Sequence, residues 1–139
     1  MVALVDTNVV LDMLAKREPW YQSASDLLFL CAAGKCQLAL SANTVTDIYY
    51  LIHKHIYHDH AKCRDVIAQL LEFFSVIDVG FADCSLALAS AVKDYEDAVL
   101  VEAARRAQVD CIITRDFDDF AAAALRVFTP AQYLQQFVG

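Results

Sequence analysis

Hydrophobic positions in this chain recur with two different spacings, and the alternation between them outlines the fold. Val2-Ala3-Leu4-Val5 is an unbroken apolar run that stops at Asp6-Thr7-Asn8 and resumes as Val9-Val10-Leu11. Four consecutive apolar residues suit a strand buried on both faces, since a half-exposed strand would place a polar residue at every second position. A helix is predicted from Asn8 to Lys16 and is broken by Glu18-Pro19-Trp20. Ala24, Leu27, Leu28 and Cys31 then recur at i, i+3, i+4, i+7 until Gly34 stops a second helix. Gln37 to Leu40 predicts a second strand, and Ser41-Ala42-Asn43 supplies capping chemistry for a third helix with the stripe Val45, Ile48, Tyr49, Ile52 and Ile56. A fourth helix carries Cys63, Val66, Ile67, Leu70, Leu71 and Phe74. Ser75 to Val79 predicts a third strand, Gly80 a turn, Ala82 to Val92 an Ala-rich helix and Tyr95 to Gln108 another. Asp110 to Thr114 predicts a fourth strand, Arg126 to Phe128 a short fifth, and Pro130 opens a last helix at its first-turn position.

Strands alternating with helices predict an α/β fold, a three-layer α/β/α sandwich around a central parallel sheet of four to five strands, with residues 1–139 as one domain. Composition agrees: 139 residues suffice to bury roughly two thirds of the unfolded surface, and 58% hydrophobic residues with mean hydropathy +0.39 imply a dense core rather than disorder. No apolar stretch approaches the ~18 residues of a membrane span, and the N-terminus has neither the basic region nor the cleavage site of a signal peptide. Five cysteines (Cys31, Cys36, Cys63, Cys84, Cys111) without a C-x-x-C pair fit free thiols in a reducing compartment, and the expected location is cytoplasmic. The net charge of −7 argues, taken alone, against a nucleic-acid ligand.

The parallel sheet brings the acids together. Asp6 and Asp116 follow the first and fourth strands, and Asp47 lies in the first turns of the helix leaving the second. The helix from Tyr95 must run antiparallel to the strand it feeds, so Asp94 and Asp97 return to the same carboxyl edge, where open parallel sheets bind ligands. Each acid also has a plainer use: Asp6 or Thr7 as a helix cap, Asp94-Tyr95-Glu96-Asp97 as a capping box, Asp47 as a solvated residue opposite its helix's apolar stripe, Asp118 and Asp119 as loop residues. Glu102 and Asp110 are read that way. The convergence outweighs any single member, because each close carboxylate pair repels by about 4 kcal/mol at an effective dielectric of 20 and such a cluster persists chiefly where a cation offsets it. All-oxygen donors favour magnesium or manganese over zinc.

Val5-Asp6-Thr7-Asn8-Val9-Val10-Leu11-Asp12, Ser41 to Asp47, Lys93-Asp94-Tyr95-Glu96-Asp97-Ala98 and Ile113-Thr114-Arg115-Asp116 with Asp119-Phe120 together resemble the motifs of PIN-domain ribonucleases, in order and over nearly the whole chain. The VapC-like toxins of bacterial toxin–antitoxin pairs are the nearest group. The resemblance implies a PIN-like fold and a magnesium- or manganese-dependent endoribonuclease whose acids are Asp6, Asp47, Asp97 and Asp116, with Asp6, Asp97 and Asp116 on the metal. Asn8 would hold Asp6, Thr114 would support the fourth position, and Asp94 and Asp119 are further candidates. Asp47 departs from the family's commoner Glu by one methylene. RNA is the implied substrate and an antitoxin the implied partner.

Two rivals share part of the pattern. A haloacid-dehalogenase-like phosphatase needs a second Asp two residues after the first, where this chain has Asn8. A non-catalytic partner-binding domain such as a receiver would carry a Lys after its fifth strand, and none follows Lys93. All four histidines lie in His53 to His60, where only His55 and His58 have the i, i+3 spacing of a two-imidazole face, so a solvated or partner-facing helix end is expected over a metal site. Lys16, Arg17, Lys54, Arg105, Arg106 and Arg115 are candidates for phosphate contact, with structural salt bridges the expected use for most. The apolar helices around Leu27 to Leu30 and Ile48 to Ile56 predict a surface covered by a homodimer or an antitoxin.

Overall fold

In a computed structural model that describes residues 2–136, the run Val2–Val5 forms β1, the middle strand of a five-stranded, wholly parallel sheet. Strand β2 (Gln37–Ser41) lies on one side and β4 (Cys111–Ile113) on the other, with β3 (Phe74–Ile77) and β5 (Arg126–Phe128) at the edges, in the order β3-β2-β1-β4-β5. The register sets Leu4 opposite Ala39 and Val5 opposite Ile113. The chain winds outward from β1 through β2 and β3, then crosses to the other side for β4 and β5. The carboxyl ends of β1 and β4 therefore flank the point where the winding reverses, the position at which α/β sheets open a crevice.

Seven α-helices accompany the strands among the described residues: α1 (Thr7–Leu14), α2 (Tyr21–Ala32), α3 (Ala42–Ile52), α4 (His60–Phe73), α5 (Phe81–Ala87), α6 (Tyr95–Arg106) and α7 (Pro130–Gln135). They cover both faces, which is why the central strands β1 and β4 are apolar throughout. Ala3 and Val5 point into a core with Val9, Leu27, Ile48 and Ile52, whereas Leu4 points oppositely among Ala39, Ala98, Ile112 and Phe120. Ile48 and Ile52 are fully buried, so the α3 stripe is interior and not the uncovered face the sequence predicts. The most exposed apolar side chains include Phe29, within the predicted Leu27 to Leu30 stretch of α2, together with Phe81 on α5 and Leu88 just beyond it, at 71, 87 and 77% exposure, and Tyr50 on α3.

Two boundaries and one side chain depart from expectation. Phe74 opens β3 opposite Leu38 instead of completing α4, because its backbone is already extended and its ring enters the core. Leu71, placed in the α4 stripe by periodicity, is half-exposed beside this edge strand. The Ala-rich helix predicted to reach Val92 ends at Ala87: Leu88, Ala89 and Ser90 bond carbonyls three residues back, and the Ser90 hydroxyl takes the Val92 N–H. Tightening to that pattern and a serine competing for backbone donors are ordinary helix terminators.

Four of the six arginines are spent on acids of the fold. Asp12 on α1 is buried and accepts Arg115 Nε at 2.8 Å and Nη2 at 3.2 Å, while the Arg115 guanidinium lies 4.0 Å over the Trp20 ring and Arg17 stands 3.9 Å from the same carboxylate. On the other face Arg106 grips the buried Asp83 and the Asp78 carbonyl, and Arg105 pairs with Glu102. Salt bridging, rather than phosphate contact, is the observed use of these four. Removing the Arg115 head leaves a buried carboxylate short of its best partner, so Arg115→Ala should destabilise the fold by about 2–3 kcal/mol in urea or guanidinium titrations, less than a fully enclosed pair because Arg115 keeps some solvent contact. A change under about 0.5 kcal/mol would show that the pair is ornamental.

Candidate functional site

The site begins where β1 ends. Asp6 continues the pairing by one bond, its N–H donating to the Ile113 carbonyl at 2.9 Å, and then its carboxylate takes over. Oδ1 accepts the Thr7 N–H at 2.8 Å as the cap of α1, while Oδ2 accepts the Thr114 hydroxyl at 2.9 Å and Asn8 Nδ2 at 3.3 Å. Capping and site chemistry are thus not alternatives at Asp6, because one oxygen serves each. Thr114, wholly buried after β4, gives its proton to Asp6 and accepts the Asp116 N–H at 3.0 Å. Asn8 Nδ2 also reaches Asp116 Oδ2 at 2.9 Å, so one amide ties the first and fourth acids together. Its Oδ1 is buried without a hydrogen-bond partner among the described residues, and the amide keeps that orientation to serve both carboxylates.

Two helix starts supply the other acids. Ser41, the last residue of β2, caps α3 by accepting the Thr44 N–H at 3.3 Å and donating to Asn43 Oδ1 at 2.6 Å. This start turns Asp47 into the cleft, half-buried rather than solvated. Asp94 caps α6, its Oδ1 accepting the Asp97 N–H at 3.0 Å, and no return bond from the Asp97 carboxylate completes a box among the described residues. The capping expectation therefore fits Asp94, while the Asp97 carboxylate is left to the cleft. Asp6, Asp47, Asp94, Glu96, Asp97 and Asp116 line a cleft of about 440 Å³ with Tyr50 and Leu51 at one wall and no lysine or arginine among the lining residues. Asp119 sits outside this lining, on a 3-10 turn at Phe117–Phe120, although its charge still acts on Asp6 and Asp97. Glu96 escaped the sequence reading as a site residue. The signal for it was the shortened arm of Asp47, since Glu96 hydrogen-bonds to that carboxylate from the facing helix.

Crowding marks the protonation equilibria. Burial, followed by Asp6, Asp94, Asp119 and Glu96, pushes Asp97 up to about 7. Burial likewise raises Asp6 against the opposing pull of the Thr114 and Thr7 hydrogen bonds, with Asp116 and Asp119 adding to the rise. Glu96 is raised first by its hydrogen bond with Asp47. Among the described residues, no three His, Cys, Asp or Glu side chains close up into a ready metal cage. The donor set is nevertheless one that a hard divalent cation fits, being all oxygen, partly desolvated and short of counter-charge, and magnesium commonly retains waters and takes only one or two carboxylates. The histidines do not meet in the spacing expected from the sequence. His53 and His60, not His55 and His58, meet, with rings stacked 4.0 Å apart and the Tyr49 hydroxyl 2.6 Å from His60 Nδ1. A π-helical turn at His53–Tyr57 and the left-handed φ of 55° at His58 reset the helical spacing on which the i, i+3 expectation relied.

A family model described as the PIN domain matches residues 2–118. This chain belongs to the PIN-domain family. Among curated proteins, Ribonuclease VapC1 of Aquifex aeolicus (strain VF5) is 23% identical over 137 residues, covering 95% of this chain and 92% of that one. A toxin–antitoxin complex from Klebsiella pneumoniae superposes with TM-score 0.67 at 28% identity, covering 92% of this chain and 97% of its counterpart. FitAcB from Neisseria gonorrhoeae gives TM-score 0.67 at 22% identity, covering 94% and 99%. The five-stranded sheet and its helix layers are thus a PIN fold, and membership of the family removes the dehalogenase-like and receiver readings.

The raised Asp97 of this PIN domain has a thermodynamic consequence. Its ordinary value is 3.8 and its folded value about 7. Between those pH values the folded state holds a proton that the unfolded chain has lost, so this group's stabilisation is complete below about 4 and disappears as pH rises through 7. In chelator, Asp97→Asn should therefore melt higher than wild type, with a larger difference at pH 8 than at pH 5. Calorimetry showing a pH-independent difference would remove Asp97 from the repulsive cluster.

Proposed function

We propose that this PIN domain is a metal-dependent endoribonuclease, the VapC-like toxin of a toxin–antitoxin pair, working as one unit on RNA in the cytoplasm. The observation that carries the reading is the meeting of acids from four segments at the switch point of the sheet, with Asp97 pushed up to about 7 and Asn8 joining Asp6 to Asp116. Its similarity to a ribonuclease and to a protein of a toxin–antitoxin complex supports it.

In this reading Asp6, Asp97 and Asp116 hold magnesium or manganese, Asp47 joins them as the fourth catalytic acid, and Asp94 and Glu96 complete the acidic wall. The chemistry the cation supplies when bound is neutralisation of a phosphate oxygen and a lowered pKa for the attacking water. The protein's own part is positioning. Thr114 and Asn8 fix the Asp6 carboxylate, the Thr114 hydroxyl aligns the Asp116 backbone, and Asp97 is poised to exchange a proton near neutral pH. Tyr50, 60% exposed on the cleft wall, offers a stacking face for an unpaired base, and Lys54 lies 5.7 Å over its ring as a phosphate partner. The exposed Phe29, Phe81 and Leu88 support a surface covered by an antitoxin or a second copy of the chain.

Asp6→Asn and Asp97→Asn should each reduce RNA cleavage roughly a hundredfold or more with circular dichroism unchanged, and Thr114→Val should cost roughly 10- to 100-fold as a positioning change. Retained activity in Asp97→Asn would overturn the assignment, and turnover of a small phosphomonoester in place of RNA would overturn the substrate class. Independently of substrate, manganese should raise the wild-type melting temperature, a hundredfold excess over Kd corresponding to about 2.7 kcal/mol. Asp97→Asn should gain less from the metal, and equal shifts would show that Asp97 is not a ligand.

A further inference from the structure

Cys31 and Cys36 bracket the turn between α2 and β2. The helix closes with the Gly34 N–H on the Cys31 carbonyl and the Lys35 N–H on the Leu30 carbonyl, both at 3.0 Å, and Gly34 takes a left-handed φ of 74°. This helix stop folds the chain back along the turn it has just completed. The reversal brings the two thiols onto the lining of one cleft, near enough for Cys31 to act on Cys36. Both are half-exposed and both line a cleft of about 470 Å³ with Gln37, Phe73 and Ser75, at the amino end of β2 and so at the end of the sheet opposite the carboxylates. The Cys31 thiol also donates to the Phe73 carbonyl at 3.2 Å, and the Cys36 thiol meets the Tyr133 hydroxyl on α7. Cys63 and Cys111, by contrast, are buried, and Cys84 stands exposed on α5.

We propose that Cys31 and Cys36 form a redox dithiol, a modification site that closes reversibly to an intramolecular disulfide by exchange with a small disulfide such as glutathione disulfide. The Cys31 thiolate attacks one glutathione sulfur, forming a mixed disulfide and expelling one glutathione thiolate. The Cys36 thiolate then attacks the Cys31 sulfur and expels the second. The protein loses two electrons and two protons, and glutathione disulfide becomes two glutathione thiols. Burial and the neighbouring Cys31 thiol raise Cys36, which suits it to the second, intramolecular attack rather than the first. Closure takes the Cys31 thiol from the Phe73 carbonyl and the Cys36 thiol from Tyr133, so it cuts polar ties from the end of α2 to α4 and from the start of β2 to α7.

Trypsin cleaves after Lys35 and so places the two cysteines in separate peptides, 18–35 and 36–54, which only the disulfide can join. The full-length native protein is treated with glutathione disulfide, quenched in acid, alkylated and mapped by mass spectrometry. The expected product is the joined peptide pair, lighter by two hydrogens and reversed by dithiothreitol, with a lasting glutathione adduct at Cys84 alone. Cys36→Ser should trap glutathione on Cys31. The joined pair should form with a rate advantage of roughly tenfold over the urea-unfolded chain, where only sequence proximity acts. A stable glutathione adduct on wild-type Cys31 or Cys36, a cross-link to another cysteine, or equal rates folded and unfolded would each overturn the proposal.

Discussion

The carboxyl edge of the sheet depends on how the negative charge of Asp6 is held. A strand buried on both faces ends with a backbone bond from Asp6 to Ile113, and the side chain then receives three donors from three residues: the Thr7 N–H, the Thr114 hydroxyl and the Asn8 amide. Hydrogen bonds to a carboxylate favour its charged form, whereas burial and the neighbouring acids oppose it. At Asp6 the opposition prevails and its pKa is raised, but the donors restrain the rise. Asp97, whose raising influences are burial and four neighbouring acids, goes further, to about 7. The donor network thus differentiates two carboxylates that share a cleft.

The features legible in the sequence were those that follow from period and topology. The strand patterns at Val2–Val5 and 37–40, the helical stripes and the cap and turn residues located the five strands and seven α-helices of the described residues, and parallel winding alone brought Asp6, Asp47, Asp97 and Asp116 to one edge. Pair-specific geometry was not legible. Nothing in the spacing of Asp12 and Arg115, 103 positions apart, announces a two-bond ion pair beneath Trp20. The histidine pairing failed for a related reason, since one π-helical turn shifts the face of every later residue and the i, i+3 rule assumes an unbroken α-helix. Periodicity alone makes Asp47 a solvated residue opposite the apolar stripe of α3, and only its convergence with the other acids points to the site; the side of a helix away from the core can face a cleft when a second helix start, here that of α6, stands across it.

Charge is divided with the same economy. The chain carries a net −7, and Arg17, Arg105, Arg106 and Arg115 are bound to Asp12, Glu102 and Asp83 instead of facing the cleft. Those pairs fasten the helices on each face of the sheet: Arg115 joins the end of β4 to α1, and Arg106 joins α6 to α5. Asp83, which also accepts the Gly80 N–H, is held below the ordinary carboxylate range chiefly by the Arg106 hydrogen bonds. Structural acids are therefore neutralised by protein cations, while the cleft acids are left with hydrogen-bond donors only.

That division bears on the proposed substrate, an acidic polymer meeting an acidic protein. Were arginines to line the cleft, they would satisfy Asp6, Asp97 and Asp116 permanently, and the carboxylates would have no remaining affinity for a divalent ion. Leaving the cluster uncompensated makes the fold less stable than its core permits, but keeps its acids available to an external cation. On the proposed reading, a bound cation would offset part of this negative charge, and a phosphate would then meet less repulsion in the cleft. Cations that could help to hold the polymer belong outside the acidic lining, where Lys54 over Tyr50 and Lys62 over Tyr57 are found. In that proposal the ion would precede the phosphate, because the uncompensated acids of the cleft repel a phosphate until a cation offsets them.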